Sequence, residues 1–344
     1  MAKKDKDFLE IIAEKFGEQI MDSPDVRKVV STGSLSLDVS TGVGGLPRGR
    51  LVEIFGPESA GKTSIGLSVA KSAIASGEKV LYLDIEQTLD DALVRAILEE
   101  HYSGEKFVVI RPETAEMAFT VAEQAIENGD FAVIIFDSLG AVSPEKELED
   151  DFGDANVALI ARLNTSFLRR NAFSIRKKDI LFIFINQVRD NIGGWIKSFS
   201  TPGGHAVKHY SSMRISLYPG KVIKVGKDGE YLKQNDGDKE ARKVGTNVNF
   251  TIVKNKVGVP YREATLPLIW GHGVDYIKDV LDFASMLGVV ASRGPYKVFN
   301  EETIALGDNK TLEKLREDTA LLDKIVEACY NTAGVKPIKE EKDE

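Results

Sequence analysis

Eight consecutive residues, Gly56, Pro57, Glu58, Ser59, Ala60, Gly61, Lys62 and Thr63, fit the pattern G-x-x-x-x-G-K-[ST]. The chemistry this pattern serves is phosphate binding. Its glycines let the backbone curl so that successive N–H groups, and the positive end of a following helix, face phosphate oxygens. Lys62 is spaced to reach the β- and γ-phosphates of a nucleotide, and the Thr63 hydroxyl to ligate Mg2+. A glycine-rich turn that binds nothing is the alternative. The flanks argue against it: LVEIFG (51–56) reads as a strand entering the loop, and SIGLSVAKSAIASG (64–77) as a helix leaving it, closed by glycine.

Three further polar residues stand at predicted strand ends. FAVIIFDS puts Asp137 where an acidic residue can hold hydrated Mg2+, although an Asp there also serves as a turn residue. In LYLDIEQTLD, Glu86 follows a strand and is placed to orient or deprotonate a water at the γ-phosphate; Asp84, two residues earlier, competes for that role. Gln187, after ILFIFIN, can sense the γ-phosphate and pass the difference to the segment behind it. That segment (189–209) carries four glycines, Gly193, Gly194, Gly203 and Gly204, with Trp195 and Phe199 as stacking candidates and Lys197 as a charge. Such a loop suits single-stranded nucleic acid, and equally a substrate lid. Lys254 and Lys256 in IVKNKVG share one side if they lie on a strand, and could neutralise phosphate within the subunit or across an interface, or form an ordinary solvated edge. Trp270 could cover a nucleotide base, but a lone Trp is more often packing.

The elements that must position these residues alternate. Strands are expected at 51–56, 79–84, 107–110, 131–137 and 180–185, with helices at 64–77, 90–100, 114–128 and 155–176 between them, and further strands at 213–217 and 248–254. This order predicts an α/β fold with a mainly parallel central sheet covered by helices. The stretch 219–247 reads as an extended hairpin or loop excursion. Residues 7–20 place Leu9, Ile12, Phe16 and Ile20 on one helical stripe, able to pack on the chain's own core or on a neighbouring subunit. Helices at 275–287 and 310–331 surround a strand-like YKVF. The expected organisation is an N-terminal helix and linker (1–33) serving oligomerisation, a core (34–271), a small C-terminal α/β module (272–331) and a charged tail (332–344).

Composition narrows the classes. The chain has 344 residues, 42% hydrophobic and 28% charged, so disorder is not the default. Apolar strings such as FAVIIF and ILFIFI are far shorter than the roughly 20 residues of a membrane-spanning helix. No apolar signal segment follows the charged start, and Cys329 is the single cysteine, so a reducing, cytoplasmic location is expected, with Cys329 a packing residue. The net charge of −8 argues against a surface that coats nucleic acid everywhere. Between 162 and 178, however, six cations (Arg162, Arg169, Arg170, Arg176, Lys177, Lys178) occur with no Asp or Glu, which is compatible with a localised nucleic-acid groove. A zinc cysteine cluster, an HExxH helix and a GxSxG turn are absent from the sequence.

The stretch GSLSLDVSTGVGGLPRGRLVEIFGPESAGKT, followed in order by DIEQTLD, IIFDS, FINQVR, TPGGHAVKHY and IVKNKVGVPY, resembles the bacterial RecA recombinase family and its phage-encoded members over roughly 30–331. The resemblance implies a RecA-type ATPase core using ATP and Mg2+, assembled head to tail as a helical filament on single-stranded DNA, pairing that strand with homologous duplex DNA and exchanging strands. A RecA-fold helicase or recombination-accessory ATPase is the alternative. It implies Glu86 as the water-activating carboxylate, Asp137 and Thr63 at magnesium, Asp90 and Trp270 beside the nucleotide, and Gln187 as relay from phosphate to DNA. Two DNA-facing loops fall at 151–158 and about 189–204, with Arg162, Arg169, Arg189, Trp195, Lys197, Phe199, Gly203 and Gly204 along the DNA path. Lys254 and Lys256 look like the pair that reaches the ATP of an adjacent subunit. Recombination mediators and a single-strand-binding protein are implied as partners. The sequence departs from the family pattern at Leu93, where an aromatic residue often meets adenine, at His209, where phenylalanine is usual, and in the unusual GGWIKSFS of the second loop.

Overall fold

A computed structural model describes residues 28–145, 157–190, 199–233 and 240–336. The helix expected at 7–20, most of the loop at 151–158, Trp195, Lys197 and the tail after 336 lie outside the described residues, as do the side chains of Arg189 and Phe199. In chain order, α1 (Leu35–Ser40) precedes β1 (Arg50–Gly56). Then α2 (Lys62–Ala75) leads to β2 (Val80–Asp84), α3 (Asp91–Leu98) to β3 (Phe107–Ile110), α4 (Ala115–Asn128) to β4 (Val133–Asp137), and α5 (Val157–Lys177) to β5 (Leu181–Gln187). The short α6 (Gly204–Tyr210) precedes the long β6 (Met213–Val225), which returns as β7 (Arg242–Asn255), followed by β8 (Glu263–Ile269) and β9 (Gly273–Val274).

These strands form one nine-stranded sheet in the order β9-β8-β7-β6-β1-β5-β4-β2-β3. From β6 to β3 every neighbouring pair is parallel, and β7, β8 and β9 continue the sheet antiparallel. The parallel strands are covered on both faces, so they read as nearly unbroken apolar runs. Alternation sorts their residues: Val52, Ile54, Ile183 and Ile185 face the α2 side, while Leu51, Phe182 and Phe184 face α4 and α5. On the second face Phe119, Phe136, Phe167, Phe182 and Phe184 meet as tilted or offset pairs with centroids 5.0–5.5 Å apart.

The 219–247 excursion is a hairpin whose ladder continues to Val225 opposite Arg242. Its turn is held on the C-terminal part, where the Tyr231 hydroxyl donates to Asp275 and the Tyr231 N–H to Asn309 Oδ1 at 3.1 Å. That part comprises α7 (Tyr276–Met286), a three-stranded antiparallel sheet of β10 (Val290–Arg293), β11 (Tyr296–Phe299) and β12 (Glu302–Leu306), then α8 (Gly307–Glu317) and α9 (Thr319–Thr332). The single helix expected over 310–331 is therefore two. Asp318 leaves helical geometry (φ −112°, ψ 80°) and caps α9 by accepting from the Leu321 N–H at 3.0 Å, the N-cap role that its short carboxylate favours. Cys329 is buried in this core, as its packing assignment required, with burial pushing its thiol up to about 12. The same core contains Leu35 and Val39 of α1, so the C-terminal helices pack directly on the element that precedes β1.

Candidate active site

The phosphate loop occupies the turn between β1 and α2. Gly61 takes φ +84° as the N-cap of α2, a conformation that a side chain would strain, and a Cβ there would lie 2.8 Å from Leu268 Cδ2. The first N–H groups of a helix have no partner within it, so α2 turns unsatisfied donors toward the loop. Lys62 curls over the loop, its ammonium donating to the Gly56 and Pro57 carbonyls at 3.0 and 2.7 Å. Burial lowers its pKa, and the carboxylates of Asp137, Glu86 and Glu58 oppose that shift. Those carbonyl contacts are ones that phosphate oxygens can replace.

At the end of β4, Asp137 Oδ2 accepts from the Thr63 hydroxyl at 2.8 Å and from the Tyr82 hydroxyl. Burial pushes the Asp137 carboxyl up to about 6, against the hydrogen bonds of Tyr82 and Thr63. A hydroxyl and a carboxylate side by side beneath a phosphate loop are hard oxygen donors, and they fit Mg2+ with its retained waters. One strand away, Glu86 Oε1 accepts from the Ser138 hydroxyl and from Gln187 Nε2 at 3.0 Å. Asp84 is engaged elsewhere. Its oxygens take the Thr88 and Leu89 N–H groups at 3.2 Å each and Arg111 Nε at 3.0 Å, which ties the end of β2 to the turn before α3. Of the two carboxylates that competed on sequence, Glu86 is the one facing Gln187 and the β4 end.

The structure thus brings Gly56–Thr63, Glu86, Asp137 and Gln187 together at the carboxyl edge of the parallel strands. Asp90 caps α3 by accepting from the Leu93 N–H at 3.0 Å. Trp270, half exposed, follows β8, whose Leu268 touches the loop at Gly61. Lys254 and Lys256 do not join this cluster. The Lys254 ammonium donates to the carbonyls of Lys208 and His209 at 2.6 and 3.0 Å, at the end of α6. Lys256 lies just beyond β7, which ends at Asn255, so the argument from strand alternation reaches Lys254 alone.

The six-cation run is not one face. Arg162 and Arg169, two helical turns apart on α5, are both exposed. Arg170 instead pairs with Glu123 at 3.2 Å, and the Lys178 ammonium donates to the Glu127 carbonyl. Of the second loop, Arg189 pairs with Ser200 and Asp190 with Phe199 as a short antiparallel ladder. Gly203 (φ +93°) opens α6, where a Cβ would lie 2.5 Å from Leu139 Cδ2, and a Cβ on Gly204 would lie 3.2 Å from Ala161. Both glycines seat α6 against its neighbours.

Sequence reasoning passed over Tyr82 and Ser138, which hold Asp137 and Glu86. A tyrosine inside the buried strand LYLD was the available signal, because a buried phenol needs a partner. It also passed over Glu53, Asn186 and Arg214, polar residues within the strands of the central sheet.

A phosphate loop closing the first strand, an acidic end to β4, and a carboxylate and an amide on the strands beside it define a RecA-type P-loop ATPase core. The comparisons agree. The family described as the RecA N-terminal domain matches residues 2–275. Proteins named Protein RecA are similar along nearly the whole chain: that of Clostridioides difficile (strain 630) is 35% identical over 96% of this chain and 90% of its own. The one from Thermus thermophilus is 36% identical over 89% and 86%. A solved structure described as the RadB recombinase has the same fold, with TM-score 0.50 and 20% identity over 71% of this chain and 98% of that one. The chain belongs to the bacterial RecA recombinase family.

Proposed function

We propose that this protein is an ATP-dependent homologous recombinase. In this reading it assembles head to tail on single-stranded DNA, pairs that strand with homologous duplex and exchanges strands, hydrolysing ATP in a DNA-stimulated manner. The observation that carries the reading is the hydrogen bond from Gln187 Nε2 to Glu86 Oε1. It joins the candidate water-activating carboxylate to the residue that opens the 189–204 segment, so phosphate chemistry and the DNA-facing segment share one contact.

Lys62 leaves the Gly56 and Pro57 carbonyls to bind the β- and γ-phosphates, with the α2 N-terminus beneath them. Thr63 and Asp137 would hold Mg2+, which supplies charge neutralisation on the phosphates when bound. Asp137 must be ionised for this, and the hydrogen bonds from the Tyr82 and Thr63 hydroxyls, together with the nearby charge of Lys62, favour that state. Gln187 turns from Glu86 to the γ-phosphate when ATP is present. Glu86 then has an acceptor free to orient a water and take its proton during attack at phosphorus. Asp90 and Trp270 flank the base.

Arg162, Arg169, Arg189 and Lys197 neutralise DNA backbone, Trp195 and Phe199 stack on bases, and Gly203 and Gly204 set the return of the segment, so sequence preference is weak. Lys254 and Lys256 reach the ATP of the adjacent subunit, which makes each site incomplete in a monomer. Residues 1–33 serve assembly, and recombination mediators and a single-strand-binding protein are the expected partners. Among the described residues no helix is long and apolar enough to cross a membrane, and a cytoplasmic location belongs to this reading. The test is ATP hydrolysis with and without single-stranded DNA, together with joint-molecule formation from homologous substrates. Hydrolysis indifferent to DNA, with no pairing, overturns it.

A further inference from the structure

Four polar residues lie in a row across four adjacent strands. On β1 the Glu53 side chain is fully buried. Its Oε2 accepts from Arg214 Nε on β6, and its Oε1 from Asn186 Nδ2 on β5 at 3.0 Å. In register, Arg214 stands opposite Glu53, and Lys254 on β7 opposite Arg214. Asn186 pairs with Phe55, two residues along β1 and on the same face. The Arg214 guanidinium also lies over the Phe55 ring, 4.6 Å from its centroid.

A β-bulge brings Lys254 into this row. The pairing steps from Ile215 opposite Ile252 to Arg214 opposite Lys254, which leaves Val253 without a partner. Without that extra residue, alternation would put Lys254 on the face of Phe250 and Ile252, inside the core with Val52 and Ile54.

Stability does not account for the arrangement, because a buried ion pair replaced by apolar residues of similar volume is often neutral or stabilising. The two ends of the row are more informative. At one end, Asn186 Nδ2 also donates to the Pro202 carbonyl at 3.0 Å, where the DNA-facing segment returns to the core, and Asn186 adjoins Gln187. Both acceptors fix the amide orientation and leave Asn186 Oδ1 buried without a partner. At the other end, the Lys254 ammonium holds the last carbonyls of α6, the helix that begins two residues after Pro202. Burial lowers the Lys254 pKa, Lys256 and Arg214 add to that shift, and Glu53 opposes it, so the row's charges are felt at the ammonium.

We propose that Asn186, Glu53 and Arg214 are positioning residues that couple the DNA-facing segment of one subunit to Lys254, and through it to hydrolysis in the neighbouring subunit. The inference rests on the reading above that Lys254 acts on an adjacent nucleotide. Movement of Pro202 on DNA binding draws on Asn186 and Glu53 from one side and displaces α6 from the other. Both changes release Lys254 from the helix carbonyls toward the neighbour's phosphates.

The test uses the full-length double variant Glu53→Gln/Arg214→Met, which removes both charges and leaves Asn186 an acceptor. Nucleotide binding by dispersed subunits and DNA-independent hydrolysis are expected at wild-type levels, with stimulation by single-stranded DNA reduced about tenfold, within the range of ordinary site-to-site coupling. Added to Lys254→Ala, the double substitution should cost nothing further. Wild-type stimulation, or a full additional loss on top of Lys254→Ala, overturns the coupling. If instead the unaltered protein shows no DNA stimulation, or Lys254→Ala leaves it intact, the reading of Lys254 fails. Should the double variant not fold, Asn186→Leu cuts the row at Pro202 while keeping the ion pair. The same tenfold loss is expected there, and wild-type stimulation again refutes the proposal.

Discussion

The two ends of the polar machinery on β1 are built by different rules. At its carboxyl end the strand stops, the backbone opens, and Lys62, Thr63, Asp137, Glu86 and Gln187 converge because parallel strands end along one edge of the sheet. Two residues before Phe55, Glu53 sits on the face of the same strand among phenylalanines, where an unpaired charge is costly, and it is fully paired. The edge is therefore expected to tolerate loss of chemistry without loss of fold, and the face to do so only when both partners change together.

Glu86→Gln tests the edge and carries the largest expected effect. It keeps an acceptor for Ser138 and removes the proposed base, so hydrolysis should fall about 10²–10⁴-fold with nucleotide binding retained. Comparing ATP turnover with equilibrium binding checks this, and a parallel loss of binding would place Glu86 in the phosphate cradle instead. Glu53→Leu tests the face. It strands the Arg214 guanidinium, whose side chain is only 15% exposed, and should cost about 3–5 kcal/mol in urea unfolding. The paired substitution Glu53→Gln/Arg214→Met should recover most of that loss. If the single and the paired changes are equally destabilising, the contrast between edge and face collapses.

Gly203→Ala probes the joint between the two regions. Its φ of +93° and the 2.5 Å approach of a Cβ to Leu139 demand a shift of α6 or of Leu139, at a cost of about 1–3 kcal/mol. Because α6 ends on Lys254, we expect this variant to lose DNA stimulation as well as thermal stability. A drop in melting temperature with unchanged stimulation would make the glycine structural only.

The edge was legible in the sequence because each of its residues sits in a short motif with a strand before it. The apolar runs gave the strands, and the strand ends gave the residues. The choice between Asp84 and Glu86 was not legible in the spacing and came only with the family resemblance, since it depends on Arg111, 27 positions away, meeting Asp84. The row was legible only as residue types. Glu53 in LVEIFG and Asn186 in ILFIFIN announce buried polar groups, but their partners are set by strand order and register, and Lys254 by a bulge at Val253 that leaves no mark in composition. The same limit explains the run at 162–178: helical spacing separates Arg162 and Arg169 from cations already engaged on α4. The split at Asp318 was readable as a cap and was masked by helix-compatible residues on both sides.

Among the described residues, a buried acidic pair at the junction of α1 and α7 has no guanidinium partner, and the smallest effect is expected there. Where α1 meets α7, Asp38 accepts from Ser31, Thr32 Oγ1 and the Thr32 N–H, and Asp279 from Ser34, Ser36 Oγ and the Ser36 N–H. The row meets its carboxylate with a guanidinium, whereas this junction offers only hydroxyls and amides. Burial therefore dominates and pushes Asp38 up to about 7 and Asp279 to about 6, with the charge of Asp279 adding to Asp38 and that of Asp282 to Asp279. The other titratable groups facing the pair, Tyr276 on α7 and Cys329 and Tyr330 on α9, are neutral over this range. Both folded-state values exceed the ordinary 3.8, so between about 4 and 7 the folded chain binds more protons than the unfolded one. The contribution to stability is then fully present below about 4 and is lost as pH rises through 6 and 7. Asp38→Asn keeps an acceptor for the Thr32 groups and removes the titration. It should unfold at higher urea than the unaltered chain at pH 8, by on the order of 1 kcal/mol, and the difference should shrink toward pH 5. Parallel profiles for the two proteins from pH 5 to 8 would mean that Asp38 is ionised throughout, and that hydroxyls and amides solvate a buried carboxylate here as well as Arg214 does in the row.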